Sequence, residues 1–212
     1  MIVKKFGDKN LSLTKLQNTG TIRLDNLLIP SQNVVWMEQV HSDLVRIVSA
    51  ENYGTIPLPG TDGMITTAKN VFLAIKTADC IPVFIWDEKR EIVAALHSGR
   101  TGTLLNITGK AVTIMQTEFG CQPSELQVEL GPAICEKCYE LDRRNFADFV
   151  AKTGIGQNFP FLDLKKVVKA KLLEKGVCQI TDQNICTKEN PAYFSYRRNG
   201  TDQRQISLIG MI

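Results

Sequence analysis

Three apolar runs, separated only by short polar connections, constrain the fold of this chain more than any other feature. The runs are Val71 to Ile75, Ile81 to Trp86 and Ile92 to Leu96. Each has the length of one β-strand and few polar residues on either face, which is typical of strands buried on both sides. The charged segment Asp87 to Arg90 predicts a tight turn, so we expect the last two runs to pair as antiparallel strands.

Helical patterns that follow these runs predict a layer of helices over the strands. Apolar residues recur at helical spacing in Leu104 to Phe119, Arg143 to Lys152 and Leu162 to Lys175. Strands and helices are interleaved without strict βαβ alternation. The predicted fold class is therefore α+β, with residues 1–212 forming a single-domain, layered αβ sandwich that contains a mixed β-sheet.

The N-terminal part of the chain has weaker patterns. Leu11 to Asn18 is typical of a short strand or turn. Ile22 to Leu28 mixes charged residues with leucines and predicts a short helix that ends before Pro30. Asn33 to Val40 alternates in the manner of a strand, and this strand is expected to end at His41.

The composition excludes several classes of protein. With 43% apolar and 22% charged residues, the chain is too ordinary for a disordered, collagen-like or coiled-coil protein. Its 25 basic and 22 acidic residues give a net charge of +3, which is too balanced for an electrostatic nucleic-acid binder. The most apolar stretch, Val71 to Trp86, contains Lys76 and Asp79 and predicts no membrane span. The first residues lack an apolar signal core, so we expect a cytoplasmic protein.

Three residues that suit zinc chemistry share one kind of position. The chain has six cysteines but only two histidines, and His41, Cys80 and His97 each fall where an apolar strand gives way to a polar loop. Strand ends bring together side chains that are distant in sequence. One thiolate and two imidazoles form a three-ligand zinc site, which leaves a fourth position for water or substrate.

Other interpretations of the same residues stay open. Cys80 could be a nucleophile that His41 or His97 activates, as in a metal-free thiol hydrolase or transferase. Copper is a less suitable ion, because copper oxidases that reduce oxygen need many more imidazoles than two. A metal-binding role without catalysis, or a buried cysteine beside ordinary histidines, is the simplest alternative.

Three further features are weak indications of an anionic ligand or a second thiol site. The turn Ser98 to Thr103 links a strand to a helix and contains Arg100, an arrangement that can gather backbone N–H groups around an anion. Arg197, Arg198 and Arg204 form a cationic cluster. Cys135 and Cys138 have C-x-x-C spacing, but no second pair repeats it, so two unlinked thiols near a turn are favoured.

A set of short segments runs in one order from residue 39 to residue 204, which is most of the chain. They are Gln39-Val40-His41, Gly60-Thr61-Asp62-Gly63, Thr77-Ala78-Asp79-Cys80-Ile81-Pro82-Val83, Leu96-His97-Ser98-Gly99, Gly131-Pro132-Ala133-Ile134, Cys138-Tyr139-Glu140, Cys186-Thr187, Ser195-Tyr196-Arg197-Arg198 and Arg204. Together these segments resemble the laccase-domain family. That family was once labelled multicopper polyphenol oxidoreductase and later described as purine nucleoside phosphorylases with adenosine deaminase activity.

The resemblance implies a zinc enzyme that acts on purine nucleosides and phosphate. Its zinc would be held by His41, Cys80 and His97, the same three residues that the strand ends indicate. The implied reaction is phosphorolysis of adenosine, inosine and methylthioadenosine to the free base and ribose 1-phosphate, with adenosine deamination as a second activity. Neither the residues nor the resemblance fixes the oligomeric state, so a homodimer is an open expectation.

The remaining expectations concern residues around the zinc ligands. The candidates for substrate binding are Gln39, Arg100, Arg197 and Arg198. Asp62 and Asp79 are candidates for moving a proton, beside a plain structural role for both.

The chain also departs from the family pattern at two places. The family usually has Ala-Gly-Trp-Arg-Gly after its second histidine, where this chain has Ser98-Gly99-Arg100-Thr101-Gly102. Cys135 stands where the family commonly has glycine. The first departure puts the substrate preference in question, and the second favours an accident of lineage over a redox pair.

Overall fold

The computed structural model describes residues 1–11, 20–24, 26–49, 51, 56–156 and 159–212. Within them, the strands are β1 (Ile2–Phe6), β2 (Thr21–Leu24), β3 (Leu27–Pro30), β4 (Val34–Trp36), β5 (Val45–Ile47), β6 (Gly63–Thr66), β7 (Phe72–Thr77), β8 (Ile81–Asp87), β9 (Ile92–Ser98), β10 (Gln127–Leu130), β11 (Gln179–Asp182) and β12 (Gln205–Met211). The helices are α1 (Arg100–Leu104), α2 (Ile107–Phe119), α3 (Arg143–Thr153), α4 (Leu164–Glu174) and α5 (Tyr196–Asn199). Among these helices, none combines the length and apolar character needed to cross a bilayer.

The strands form two large mixed sheets and one hairpin. The smaller of the two large sheets has four strands in the order β1-β12-β7-β4. The larger has six strands in the order β11-β10-β8-β9-β6-β5. Each contains parallel as well as antiparallel pairs, for example β4 beside β7 and β8 beside β9. The predicted layered sandwich with a mixed sheet is thereby confirmed, as is the antiparallel pairing of the second and third apolar runs.

Three apolar clusters hold the layers together. One lies between the two large sheets and contains Leu73, Phe84 and Val93. A second lies between the larger sheet and the helices α2, α3 and α4, with Phe149 among its members. A third lies between the smaller sheet and the β2–β3 hairpin, where Ile22 is buried. Burial of both faces explains why the central strands are apolar throughout.

Some local expectations were wrong. The helix expected at Ile22 to Leu28 is instead the hairpin of β2 and β3, in which Leu24 pairs with Leu27. The long helix expected at Leu104 to Phe119 is divided, because Asn106 has left-handed backbone (φ 60°) and its side chain caps α2. The strand or turn expected at residues 11–18 lies outside the described residues apart from Leu11.

The chain passes from the smaller sheet to the larger one close to the candidate functional site. β7 belongs to the smaller sheet and β8 to the larger one, although only residues 78–80 separate them. β8 pairs with β9 so that Ile81 lies opposite Ser98. The residues just before β8 and those at the end of β9 are therefore neighbours at one end of the sandwich.

Candidate metal centre and cavity

His41, Cys80 and His97 come together at this end of the sandwich. One ligand atom from each lies within 4.8 Å of the other two. The two imidazole rings stand edge to face, with their centroids 5.0 Å apart. His97 is buried, Cys80 is half-buried and His41 is exposed, so the group opens to solvent on one side. The structure thus brings together the three residues that the sequence proposed as metal ligands.

Asp62 orients His97 from behind. Its Oδ1 lies 2.7 Å from His97 Nδ1, and the carboxylate is fully buried. This contact leaves Nε2 as the nitrogen that faces Cys80. A carboxylate bound to the distal nitrogen of a histidine is the usual second partner of a metal-binding imidazole. The sequence offered Asp62 as a proton carrier or a structural residue, and its contacts with His97 and the His41 loop suit the structural role.

The same carboxylate shapes the loop that carries His41. The backbone N–H groups of Val40, His41 and Ser42 donate to Asp62 at 3.1, 3.1 and 2.7 Å. The hydroxyl of Ser42 adds a further bond at 2.9 Å. β4 ends at Trp36 rather than Val40, and His41 has left-handed backbone with φ 62°. Asp62 therefore stabilises the uncommon backbone conformation at His41, and the same carboxylate contacts the ring of His97.

Gly99 packs directly against the ligands. A Cβ atom at this position would lie 3.0 Å from Cys80 Sγ and 3.1 Å from His41 Cδ2. Both distances are shorter than ordinary van der Waals contact. The glycine after Ser98 is therefore required by the close approach of the three ligands.

Charges around Cys80 favour its thiolate. Burial by itself raises the pKa of the Cys80 thiol, but the charge of His97 and hydrogen bonds from both histidines outweigh burial and lower the pKa to about 6. Burial lowers the pKa of His97, whereas the Cys80 thiolate and the Asp62 carboxylate raise it to about 9. A divalent cation could replace the proton on His97, since metal binding displaces protons from such groups.

A cavity of about 580 Å³ opens over the three ligands. Its charged wall residues are four cationic side chains, Lys76, Arg100, Arg197 and Arg204, and three carboxylates, Glu38, Asp79 and Asp202. The phenol rings of Tyr139 and Tyr196 also line it. Burial raises the pKa of Tyr139 more than the neighbouring arginines lower it, so this phenol keeps its proton at neutral pH. The cavity therefore combines positive charge, aromatic surface and a candidate metal centre.

The model of a known protein family matches most of this chain. The model described as "Multi-copper polyphenol oxidoreductase laccase" matches residues 7–212. The chain belongs to this laccase family. The resemblance seen in the sequence is thereby confirmed.

Relatives of similar sequence are named purine nucleoside phosphorylases rather than laccases. A purine nucleoside phosphorylase of Streptomyces coelicolor is 36% identical over 191 residues, which cover 87% of this chain and 77% of the relative. The purine nucleoside phosphorylase YlmD of Bacillus subtilis is 32% identical over 199 residues, or 85% of this chain and 71% of the relative.

Two solved structures share the fold of this chain. YlmD from Geobacillus stearothermophilus superposes with a TM-score of 0.80 at 27% identity, covering 99% of this chain and 90% of that protein. The protein YfiH from Bacillus licheniformis also gives a TM-score of 0.80, at 29% identity, covering 85% of this chain and 75% of that protein.

The arginines expected to bind substrate are placed differently from one another. Arg100 and Arg197 line the cavity of this laccase-family protein, whereas Arg198 does not. The guanidinium of Arg198 donates to four backbone carbonyls, those of Thr187, Lys188, Asn190 and Tyr193. Arg198 thus ties chain segments together, which corrects the expectation that it faces substrate.

Gln39 and Asp79 line the cavity but already have partners. The amide of Gln39 donates to Lys76 O at 2.7 Å and accepts from Lys76 N at 2.9 Å. Asp79 accepts from the hydroxyl of Thr187 at 2.6 Å and from the backbone N–H of Arg197 at 2.8 Å. Each therefore fixes the cavity wall through these bonds.

Lys76 and Tyr139 are cavity residues that the sequence analysis did not propose. Lys76 is a charged residue in an otherwise apolar strand. This exception to the pattern was the signal in the sequence that could have identified it as a cavity residue. Tyr139 lies in a family-like segment, and its ring carries the guanidinium of Arg197 4.8 Å from its centroid.

Proposed function

We propose that this chain is a zinc-dependent purine nucleoside phosphorylase. The observation that carries the proposal is a Cys-His-His group that forms part of the wall of a cavity rich in cationic side chains. The names of the relatives support the choice of purine nucleosides as substrates. We also propose that residues 1–212 act as one domain, because adjacent layers share apolar clusters.

Zinc suits the donor set better than copper. His41, Cys80 and His97 would hold it, and three protein ligands leave one position open, as in catalytic zinc sites. The bond from Asp62 to His97 fits this role, since it fixes the tautomer that leaves Nε2 free to bind. Bound zinc would supply a Lewis acid next to the reacting nucleoside.

The chain's own residues can provide what phosphorolysis demands. A phosphate oxygen forms a bond to the ribose carbon C1′ as the bond from C1′ to the purine nitrogen breaks, with the bonding electrons leaving on the base. Cationic side chains must hold the anion beside a sugar that becomes positive. Lys76, Arg100 and Arg204 supply that charge, and the rings of Tyr139 and Tyr196 offer apolar surface to the base.

Arg100 is the arginine best prepared to bind phosphate. Its guanidinium makes no hydrogen bond or ion pair with any residue that the structure describes, whereas that of Arg197 donates to Glu140 O and that of Arg204 to Thr201 O. It also begins α1, a helix of only five residues, so the side chain rather than the helix dipole supplies the charge.

Replacing Arg100 with alanine should raise KM for phosphate by about 10- to 100-fold, the equivalent of one charged hydrogen bond. KM for adenosine should change less, because the guanidinium that the substitution removes is proposed to bind phosphate rather than the nucleoside. Steady-state kinetics with each substrate varied in turn measures the difference. The matched control is Arg144→Ala, an exposed arginine of α3. Equal changes in both KM values would contradict a phosphate-specific role.

Product analysis tests the proposed activity. Zinc-loaded protein is incubated with adenosine, with and without phosphate, and the products are separated by chromatography. We expect free adenine and ribose 1-phosphate only when phosphate is present. Inosine would reveal deamination as a second activity. No turnover of adenosine, inosine or methylthioadenosine by the zinc-bound protein would refute the proposal and favour a metal-binding role.

A metal-free thiol enzyme is the second candidate, and one observation favours it. The low pKa of Cys80 beside a protonated His97 is the arrangement of an activated nucleophile. Metal analysis separates the two candidates. Near-stoichiometric zinc in protein purified without chelator supports the phosphorylase, whereas covalent capture of Cys80 by an acyl substrate without metal supports the thiol enzyme.

A further inference from the structure

A second group of metal-ligating side chains lies outside the wall of the cavity. Cys135, Cys138, Cys186 and Glu189 each offer a ligand atom, and these atoms all lie within 4.8 Å of one another. Cys186 is 51 positions from Cys135 in the sequence, so the C-x-x-C pair acquires its third thiol only through folding. The sequence favoured two unlinked thiols near a turn. The structure adds a third thiol and a carboxylate to this pair.

Main-chain contacts set the positions of the three thiols. Ala133 pairs with Cys186 in a parallel bridge, in which Ala133 N donates to Ile185 O and Thr187 N donates to Ala133 O, both at 3.1 Å. A 3-10 turn at Glu136–Cys138 then brings Cys138 back towards Cys135. The cluster is thus built by the backbone of two segments rather than by flexible side chains that happen to meet.

Polar contacts link the members of the cluster to one another. The backbone N–H of Cys135 donates to Cys186 Sγ at 3.4 Å, and Cys138 Sγ lies 3.6 Å from a carboxylate oxygen of Glu189. Several ligands that repel one another as anions, held this closely, are suited to a shared cation.

We propose that Cys135, Cys138, Cys186 and Glu189 bind a second zinc ion, separate from the one in the cavity. Thiolates prefer such soft divalent ions, and four protein ligands make a closed site of the structural kind. Tetrahedral bonds of about 2.3 Å to zinc place sulfur atoms about 3.8 Å apart. Shifts of about 1 Å in the side chains would therefore complete the site.

The ion would brace the cavity wall. Ile134 and Tyr139 line the cavity and directly flank the C-x-x-C segment. Thr187 follows Cys186 and donates to Asp79, the residue before Cys80. Ligands that tie the two segments together would therefore hold both the aromatic surface and the loop of the first metal site in place.

Metal content measures the proposal directly. Protein purified without chelator should contain two zinc ions per chain by elemental analysis. Cys138→Ser should lose one of them, Cys80→Ala should lose the other, and the double variant should lose both. The matched control, Cys178→Ser, changes an exposed thiol outside either ligand group and should keep two ions. If Cys138→Ser binds as much zinc as the parent protein, the proposal is wrong.

A measurement on the unsubstituted protein covers the case in which a variant fails to fold. Zinc-loaded protein is treated with iodoacetamide, and each cysteine is assessed by peptide mass spectrometry. We expect Cys135, Cys138 and Cys186 to be protected until a chelator is added, whereas Cys178 reacts in both states. Alkylation that chelator does not alter, or a disulfide among the three thiols in the isolated protein, would overturn the proposal. These readouts do not depend on nucleoside turnover, so the phosphorylase proposal can fail separately.

Discussion

Replacing Cys80 with alanine should remove zinc from the cavity and lower kcat/KM for adenosine phosphorolysis by more than about 100-fold. In the proposed zinc site, Cys80 is the single thiolate among three protein ligands, so its loss would leave only two imidazoles. Loss of a partner that merely supports a metal ligand already costs about 10- to 100-fold in affinity or activity. Loss of the ligand itself should exceed that range.

The fold should tolerate the Cys80 substitution. Cys80 is half-buried and precedes β8, so truncating its side chain removes little packing. Elemental analysis, circular dichroism and steady-state kinetics on the same preparation separate metal loss from unfolding. Cys178→Ala, at an exposed thiol, is the control and should behave as the parent. Undiminished zinc in the cavity of Cys80→Ala would contradict the ligand assignment.

The central strands could be predicted because their chemistry is local. Ile81 to Asp87 and Ile92 to Ser98 are apolar on both faces and joined by a charged turn, so their pairing followed from the sequence. The separation of β7 from β8 into different sheets did not follow. A strand that is apolar on both faces indicates burial, but it does not indicate which strand lies beside it.

The hairpin of β2 and β3 shows a different difficulty. Its leucines fit a helical pattern equally well over a short segment, and the packing of Ile22 and Leu24 against the smaller sheet decided the outcome. Polar residues between Leu24 and Leu27 were the available signal for a two-residue turn. Tertiary contacts thus outweighed a weak local preference.

The grouping of His41, Cys80 and His97 could be predicted because the chain contains only two histidines, and both follow apolar runs. The roles of the arginines could not. Arg197 and Arg198 are adjacent and chemically identical, yet Arg197 lines the cavity, whereas Arg198 lies outside its lining and donates to four backbone carbonyls. Cys186 likewise joins the C-x-x-C pair through a bridge between distant segments. Such assignments depend on the tertiary path of the chain, which side-chain chemistry alone does not specify.

Asp62→Asn should lower zinc affinity at the cavity by about 10- to 100-fold and destabilise the fold by about 2 to 4 kcal/mol. Asp62 Oδ1 accepts from His41 N and His97 Nδ1, and Oδ2 accepts from the loop residues Val40 and Ser42. An asparagine can keep only one of these oxygens as an acceptor. If its NH₂ group faces His97, it donates to Nδ1 and moves the ring proton to Nε2, which can then no longer bind zinc. If the NH₂ group faces the loop instead, the N–H groups of Val40 and Ser42 lose their acceptor.

Zinc titration and chemical unfolding of Asp62→Asn measure the two effects separately. Ser42→Ala is the informative comparison, because it removes the hydroxyl that contacts Asp62, Gly60 O and Leu44 N and leaves the contact between Asp62 and His97 intact. It should cost about 1 kcal/mol of stability with little change in zinc affinity. Asp148→Asn, at an exposed residue of α3 paired with Lys152, should change neither. If Asp62→Asn destabilises the fold yet binds zinc as tightly as the parent, Asp62 supports the loop alone, and the orientation of His97 must be set by the backbone of β9.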